Sequence, residues 1–219
     1  AMEQTGTDLL IDLDTTTQVI YQKTMTDGQK QTWVQLVNDT DVLDGMGFST
    51  GMTASQGAIV ELLWQEEQQD IQAKWLGEFE FKGLCGYGLV HIAKQLLDWD
   101  ILLSDGTFAD IAALPEKIAN RIKTGPHGKE LLLVGFGFQH VVVQEQDFQK
   151  LFEVAHQVAV GIEKLLQRAE VDVIALKRIV ITGSWGSDFA ITDLQQLGFF
   201  PENLPIQLIS YQQDLVAMG

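Results

Sequence analysis

Cysteine is nearly absent from this 219-residue chain, where Cys85 stands alone. One thiol excludes a disulfide framework and any cysteine-ligated zinc or iron–sulfur site within these residues, and the cytoplasm is the simple expectation for location. Basic residues are scarce too. Fourteen Lys and Arg against thirty Asp and Glu leave a formal net charge of −16. Such a field repels nucleic acid and anionic membrane over most of the surface, so neither is an expected partner. Solubility is the plain reading of that charge, and docking to a basic partner the sharper one. No run approaches the roughly 18 uninterrupted apolar residues of a membrane-spanning helix, and no leader segment is recognisable. His91, His127, His140 and His156 are too scattered for a metal-ligand spacing.

Apolar residues, by contrast, make up 46% of the chain and mean hydropathy is +0.06, enough for a substantial core. Ala1-Met2 reads as an expression remnant, and the chain is expected to be a piece of a longer protein. Asp8 to Lys23, DLLIDLDTTTQVIYQK, joins two apolar runs through an acidic, threonine-rich turn. Leu9, Leu10 and Ile11 predict a strand buried on both faces, and Gln18 to Lys23 a half-exposed one. Gln31 to Leu36 predicts a third, reached through Thr26-Asp27-Gly28-Gln29, where Asp-Gly signals a hairpin. An antiparallel meander therefore opens the chain. Val37 to Gly57 shows no sustained period and predicts an irregular connection.

Ala58 to Trp64 and Asp70 to Phe81 predict further strands, split by Gln65 to Gln69. Gly83-Leu84-Cys85-Gly86-Tyr87-Gly88 then leads into Leu89, Ile92, Ala93, Leu96 and Leu97 at helical spacing. A glycine-rich turn feeding a helix N-terminus can hold an anion through free backbone N–H groups. It can equally serve to let the helix pack closely on a sheet. Residues 99–143 read as an irregular insertion with strands at Glu130 to Phe138 and His140 to Val143. Lys117, Arg121, Lys123 and Lys129 form the one local basic cluster, read as a solvated helix face and loop. From Gln146 to Arg168, Phe148, Leu151, Ala155, Ala159, Ile162 and Leu166 fall on one helical face, with Asp147 at the start and Arg168 at the end, as the macrodipole favours. A strand at Ile174 to Thr182, a helix at Phe189 to Leu197 and a strand at Ile206 to Ile209 follow. This order predicts an α/β fold of ribonuclease H-like layout, a mixed sheet with helices on its faces, forming one lobe over residues 1–219.

Several stretches, in register, resemble one family: the C-terminal region of the reductive activators of corrinoid proteins, within the actin-like ASKHA ATPases. Leu9 to Gln18 (LLIDLDTTTQ) is similar to the family's LLIDIGTNGE, Gly45 to Ile59 (GMGFSTGMTASQGAI) to GAGISCGMRAAPGAI, and Gly83 to Leu89 (GLCGYGL) to GICGSGL. Phe148 to Leu166 resembles the family's long alanine-rich helix, Ile179 to Gly186 (IVITGSWG) its VYLAGAFG, and Leu197 to Pro201 the IGLLP that follows.

The resemblance implies a nucleotide-binding lobe of an ATP-dependent activator that reduces Co(II) corrinoid to Co(I), with ATP held between two lobes of which this chain supplies the second. It implies Asp12, Thr15 and Thr16 on the phosphate side, Gly183, Ser184 and Gly186 near adenosine, and Gly83, Gly86 and Gly88 in the binding loops. Asp12 could hold a hydrated Mg²⁺ through water. A [2Fe-2S] cluster is implied only for an N-terminal domain outside these residues. The implied partner is a corrinoid protein or another protein, and a homodimer stays open. Chemistry would be positioning and conformational coupling, since no nucleophile has an adjacent base. Cys85 reads as a small buried residue in a tight turn.

Departures keep other readings open. Asp14 stands where the family has glycine, placing charge where backbone would approach phosphate. Asn38 to Gly45 replaces AAGPAFEG, and Ser210 to Asp214 replaces a Gly-Asn and alanine-rich run. The alternative is a degenerate, non-catalytic ASKHA lobe acting as scaffold or docking module; an unrelated sugar-kinase-like enzyme is a third reading.

Overall fold

The computed structural model describes residues 7–13, 17–25, 27–37, 40–78, 80–182, 191–205 and 209–211. Two compact units emerge, one formed by Ala1–Thr40 with Val154–Gly219 and the other by Asp41–Glu153. The chain opens with β1 (Thr7–Asp12), β2 (Thr17–Thr24) and β3 (Lys30–Val37). The second unit carries β4 (Ala58–Gln65), β5 (Asp70–Trp75), β6 (Gly83–Leu84), α1 (Gly86–Asp98), α2 (Glu116–Arg121), β7 (Ile122–Gly125), β8 (Gly128–Phe136) and β9 (Gln139–Gln144). Helix α3 (Glu145–Arg168) begins in that unit and ends in the first, which closes with β10 (Arg178–Thr182), α4 (Ile191–Gln196) and β11 (Ile209–Tyr211).

In the first unit the sheet order is β11-β10-β1-β2-β3. The strands β1, β10 and β11 run parallel, and β2 is antiparallel to both its neighbours. This is the ribonuclease H-like order expected from the sequence, and each strand's composition suits its place. Central β1 buries Leu9 and Ile11 completely, while β2 alternates with Thr17, Val19 and Tyr21 inward. The β2–β3 hairpin turns at Asp27-Gly28, where the Asp27 carboxylate accepts the Gln29 N–H at 2.9 Å and Gly28 takes φ +82°. Over this sheet lies the C-terminal part of α3, burying Val158, Ile162, Leu165 and Leu166. Gly161 permits close approach, because a Cβ there would lie 3.3 Å from Val37 Cγ2. At the helix end, the Arg168 guanidinium donates to the Gln35 side-chain oxygen at 3.4 Å.

The strand expected from Ile174 begins only at Arg178. Asp172 accepts the Ile174 N–H at 3.1 Å and draws Val173–Ala175 into a 3-10 turn first. The start of the expected helix at Phe189 and of the strand at Ile206 lie outside the described residues; from Ile191 and Ile209 onward they are α4 and β11.

The second unit is larger than the 99–143 insertion read from the sequence, and it contains helix α1. It holds two three-stranded sheets, β5-β4-β6 and β7-β8-β9. The stretch expected to be irregular carries α2 and β7, and β7 pairs with β8 from Ile122↔Leu131 to Gly125↔Gly128. Strand β6 pairs with β4 only at Ala58 and Ile59. Past that point the Gln95 side chain of α1 takes its place, accepting the Leu62 N–H at 2.9 Å and donating to the Leu62 carbonyl at 2.7 Å. Arg121, read above as solvated, is instead a clamp. Its guanidinium grips both Asp70 oxygens at 2.7 and 3.1 Å and donates to the carbonyls of Ile71, Leu132 and Leu133. That hydrogen bonding holds the Asp70 carboxyl below its ordinary range.

Candidate functional site

Strands β1 and β10 lie side by side and parallel, so their carboxyl ends face the same way. Their last register pair is Asp12 and Thr182. Thr182 Oγ1 donates to Asp12 Oδ1 at 3.0 Å, and the Leu13 N–H donates to the Thr182 carbonyl at 2.9 Å. Behind this pair Leu9, Ile11, Val19 and Ile179 are fully buried. The half-buried Asp12 carboxylate thus emerges where a dry core meets solvent. One of its oxygens is anchored by a hydroxyl, and the other takes no hydrogen bond among the described residues. Carboxyl ends of adjacent parallel strands are where α/β sheets hold ligands, because loops diverge there. An anchored carboxylate with a free oxygen can accept from metal-bound water or a ligand hydroxyl. At the start of β2, the Thr17 N–H donates to the buried Thr40 Oγ1 at 3.3 Å. Thr15, Thr16, Gly183, Ser184 and Gly186, together with Asp14, lie outside the described residues.

The second unit gathers the other glycines, Gly83, Gly86 and Gly88, with the Gly45 to Met52 loop. A Cβ on Gly86 would sit 1.8 Å from the Leu43 carbonyl oxygen and 2.9 Å from Gly45 N. On Gly88 it would meet the Ile59 carbonyl oxygen at 2.1 Å, and on Gly83 the Thr50 carbonyl oxygen at 2.7 Å. Backbone hydrogen bonds stitch the same contact, from Leu84 N–H to Thr50 O at 2.9 Å and from Met52 N–H to Leu84 O at 3.0 Å. At the start of α1 the Gly88 N–H is taken by Cys85 Sγ at 3.3 Å and the Leu89 N–H by the Cys85 carbonyl at 2.9 Å. Burial pushes the Cys85 thiol up, as suits a packing residue. Close backbone packing is thus a sufficient reason for these glycines. Asp12 belongs to the first unit and these three glycines to the second.

Two residues carry more than their sequence positions announced. Asp147 is fully buried, and its carboxylate accepts the Ser49 hydroxyl at 2.8 Å, the Ser49 N–H at 3.3 Å and the Gln144 N–H at 2.8 Å. The last of these is the return bond of a capping box, legible in principle from the Gln144-x-x-Asp147 spacing; the bonds to Ser49 cross 98 positions and are not. Thr182 was the second, a strand residue whose side chain proves to orient Asp12. Among the described residues no group of three or more His, Cys, Asp or Glu could hold a metal ion.

Residues 42–211 match the family described as the C-terminal domain of RACo, the ASKHA domain. A solved structure titled "Reductive activator for corrinoid, iron-sulfur protein" shares the fold at a TM-score of 0.76 and 23% identity, over 94% of this chain and 32% of that one. The chain therefore spans about a third of that relative's length. No curated protein matches.

Proposed function

The chain belongs to the family of the RACo C-terminal ASKHA domain, and from that premise we propose that it is the nucleotide-binding lobe of an ATP-dependent reductive activator of corrinoid proteins. The observation that carries this reading is the Asp12–Thr182 pair at the ends of two parallel strands. In this reading Thr182 fixes the Asp12 rotamer, and the Asp12 oxygen that takes no hydrogen bond among the described residues would accept from water around a magnesium ion. A lone carboxylate suits that ion, which keeps most of its waters and is held by one or two carboxylates plus substrate phosphates. Thr15 and Thr16, which follow β1 in the sequence, would donate hydroxyls to phosphate; Gly183, Ser184 and Gly186, which follow β10 in the sequence, would line the adenosine side. Bound nucleotide supplies binding energy that favours one arrangement of the protein over another. Gly83, Gly86 and Gly88 serve by keeping their loops in register. The protein works in the cytoplasm on a corrinoid protein, and a [2Fe-2S] cluster belongs to a part of the activator outside these residues.

Calorimetric titration of the full-length protein with ATP and Mg²⁺, followed by spectroscopic detection of Co(II) corrinoid reduction, tests the proposal. Saturable heat and ATP-dependent loss of the Co(II) signal are expected. Absence of both overturns it in favour of a non-catalytic ASKHA lobe. That second reading draws on Asp14 and on the glycine junction, whose packing accounts for its glycines without a ligand.

A further inference from the structure

Strands β8 and β9 alternate inward and outward through Leu131, Leu133, Val141 and Val143, all buried. Beyond Val134 the alternation stops, and every residue from Gly135 to His140 is exposed. The hairpin therefore projects into solvent. At its tip Phe136 and Phe138 are 84% and 103% exposed, on either side of Gly137 at φ +60°. The strands pair up to Phe136↔Gln139, leaving a two-residue turn, and the base is anchored by the Arg121 guanidinium on the Leu132 and Leu133 carbonyls. Two large aromatic side chains are thus held out in water on a paired hairpin, with little of their surface packed against the fold. Exposed aromatics serve interfaces as anchors, because each buries a large apolar area at the cost of only two side-chain torsions.

Charge indicates what kind of surface would receive them. Residues 131–144 contain no Asp or Glu, in a chain that carries thirty. Phe138 shares a shallow concavity with Phe81, Lys82 and His140. Another, of about 370 Å³ on the hairpin's flank, includes Arg121, Lys123 and a single carboxylate, Glu130, which is the ladder partner of Lys123. Arg121 is spent on Asp70, but exposed Lys82 and Lys123, with Glu130 as the one carboxylate lining either concavity, leave the aromatic tip bordered mostly by neutral or cationic groups, complementary to an apolar acceptor edged by carboxylates. An anionic membrane fits poorly, since the remaining charge would be repelled.

We propose that the β8–β9 tip, Phe136-Gly137-Phe138, is a protein-docking element, and that its occupant is an acid-edged apolar depression on the corrinoid protein. This rests on the reading above that a corrinoid protein is the partner. The test measures binding of full-length protein to a corrinoid iron–sulfur protein by biolayer interferometry, with ATP titrated in parallel. F136S/F138S is expected to raise Kd by at least roughly 30-fold and Lys82→Glu by about fivefold, with melting temperature and ATP affinity unchanged. Wild-type-like binding by F136S/F138S overturns the docking site while leaving the activator reading intact. No binding by the wild type, with no ATP-dependent reduction, overturns both. A wild-type dimer that F136S/F138S converts to monomer by sedimentation, with corrinoid-protein binding unchanged, reassigns the tip to a second copy and overturns the proposal. Tip-dependent flotation with phosphatidylglycerol vesicles, again with corrinoid-protein binding unchanged, does the same in favour of a membrane.

Discussion

The strand ends of the first unit and the glycine junction of the second use similar vocabulary, glycines beside hydroxyls and acids, to different physical ends. At the junction, backbone lies against backbone so closely that a Cβ on Gly86 would overlap the Leu43 carbonyl. The polar groups there are consumed internally, with Thr50 Oγ1 donating to the Val142 carbonyl at 2.6 Å and Lys150 to the Gly47 carbonyl at 2.6 Å. At the strand ends a carboxylate keeps an oxygen unused among the described residues. A packed motif and an available one therefore differ in whether their donors and acceptors are already paired.

Substituting the junction gives the largest expected effect. Gly86→Ala forces a Cβ into backbone that cannot yield like a side chain, and should cost about 3 kcal/mol. Gly28→Ala is the control: nothing lies within 4 Å of its Cβ, so only the left-handed backbone opposes it, at about 1 kcal/mol. Urea unfolding followed by circular dichroism separates the two. Equal losses would mean that close packing at Gly86 is not what the glycine is for.

Arg121→Met comes next and sharpens how the second unit is held. It removes the pair with Asp70 and three carbonyl bonds, at an expected cost of about 2 kcal/mol. Arg121 also gives the protein an acid dependence. Because its hydrogen bonds depress the Asp70 carboxyl, their stabilisation is complete above the unfolded value near pH 4 and is lost as pH falls through the lower, folded value. The acid limb of stability below about pH 4 should therefore flatten in Arg121→Met. An unchanged limb would assign acid sensitivity to other carboxylates.

Legibility in the sequence follows the range of the interactions. The β1–β2–β3 meander depends on the Asp27-Gly28 turn and on period-two burial within a few residues, and α3 on one apolar stripe, so both could be read directly. What escaped reading depends on distant partners. The Arg121 guanidinium meets Asp70 some 51 positions away, Ser49 meets Asp147 across 98, and Thr182 meets Asp12 across 170. A two-residue strand such as β6 leaves no periodicity to detect, and it exists because β4 offers an edge beside it. Asp12 was singled out as a candidate because the strand and turn that carry it resemble the family's segment. The hydroxyl that orients it was not.

At the open end, Asp12→Asn tests whether charge matters. Asparagine keeps an oxygen for the Thr182 hydroxyl, so the melting temperature should hardly move. Affinity for magnesium nucleotide should fall roughly tenfold, about 1.4 kcal/mol. An unchanged affinity would place the ligand elsewhere and leave the strand ends as structural as the junction.

The smallest effect is expected at Thr182→Val, which preserves shape and deletes only the donor. The lost bond is worth about 1 kcal/mol, and Asp12 becomes free to leave its rotamer without losing its charge. Nucleotide affinity should then fall by about threefold, well short of the Asp12→Asn loss, because the carboxylate still reaches the ligand part of the time. Thr182→Ser, which retains a hydroxyl, should recover it. If Thr182→Val instead weakens binding as much as Asp12→Asn, the Thr182 hydroxyl contacts the ligand directly and is itself part of the grip. If it changes stability alone, the hydrogen bond belongs to the sheet, and the strand ends resemble the glycine junction in having their polar groups spent on the fold.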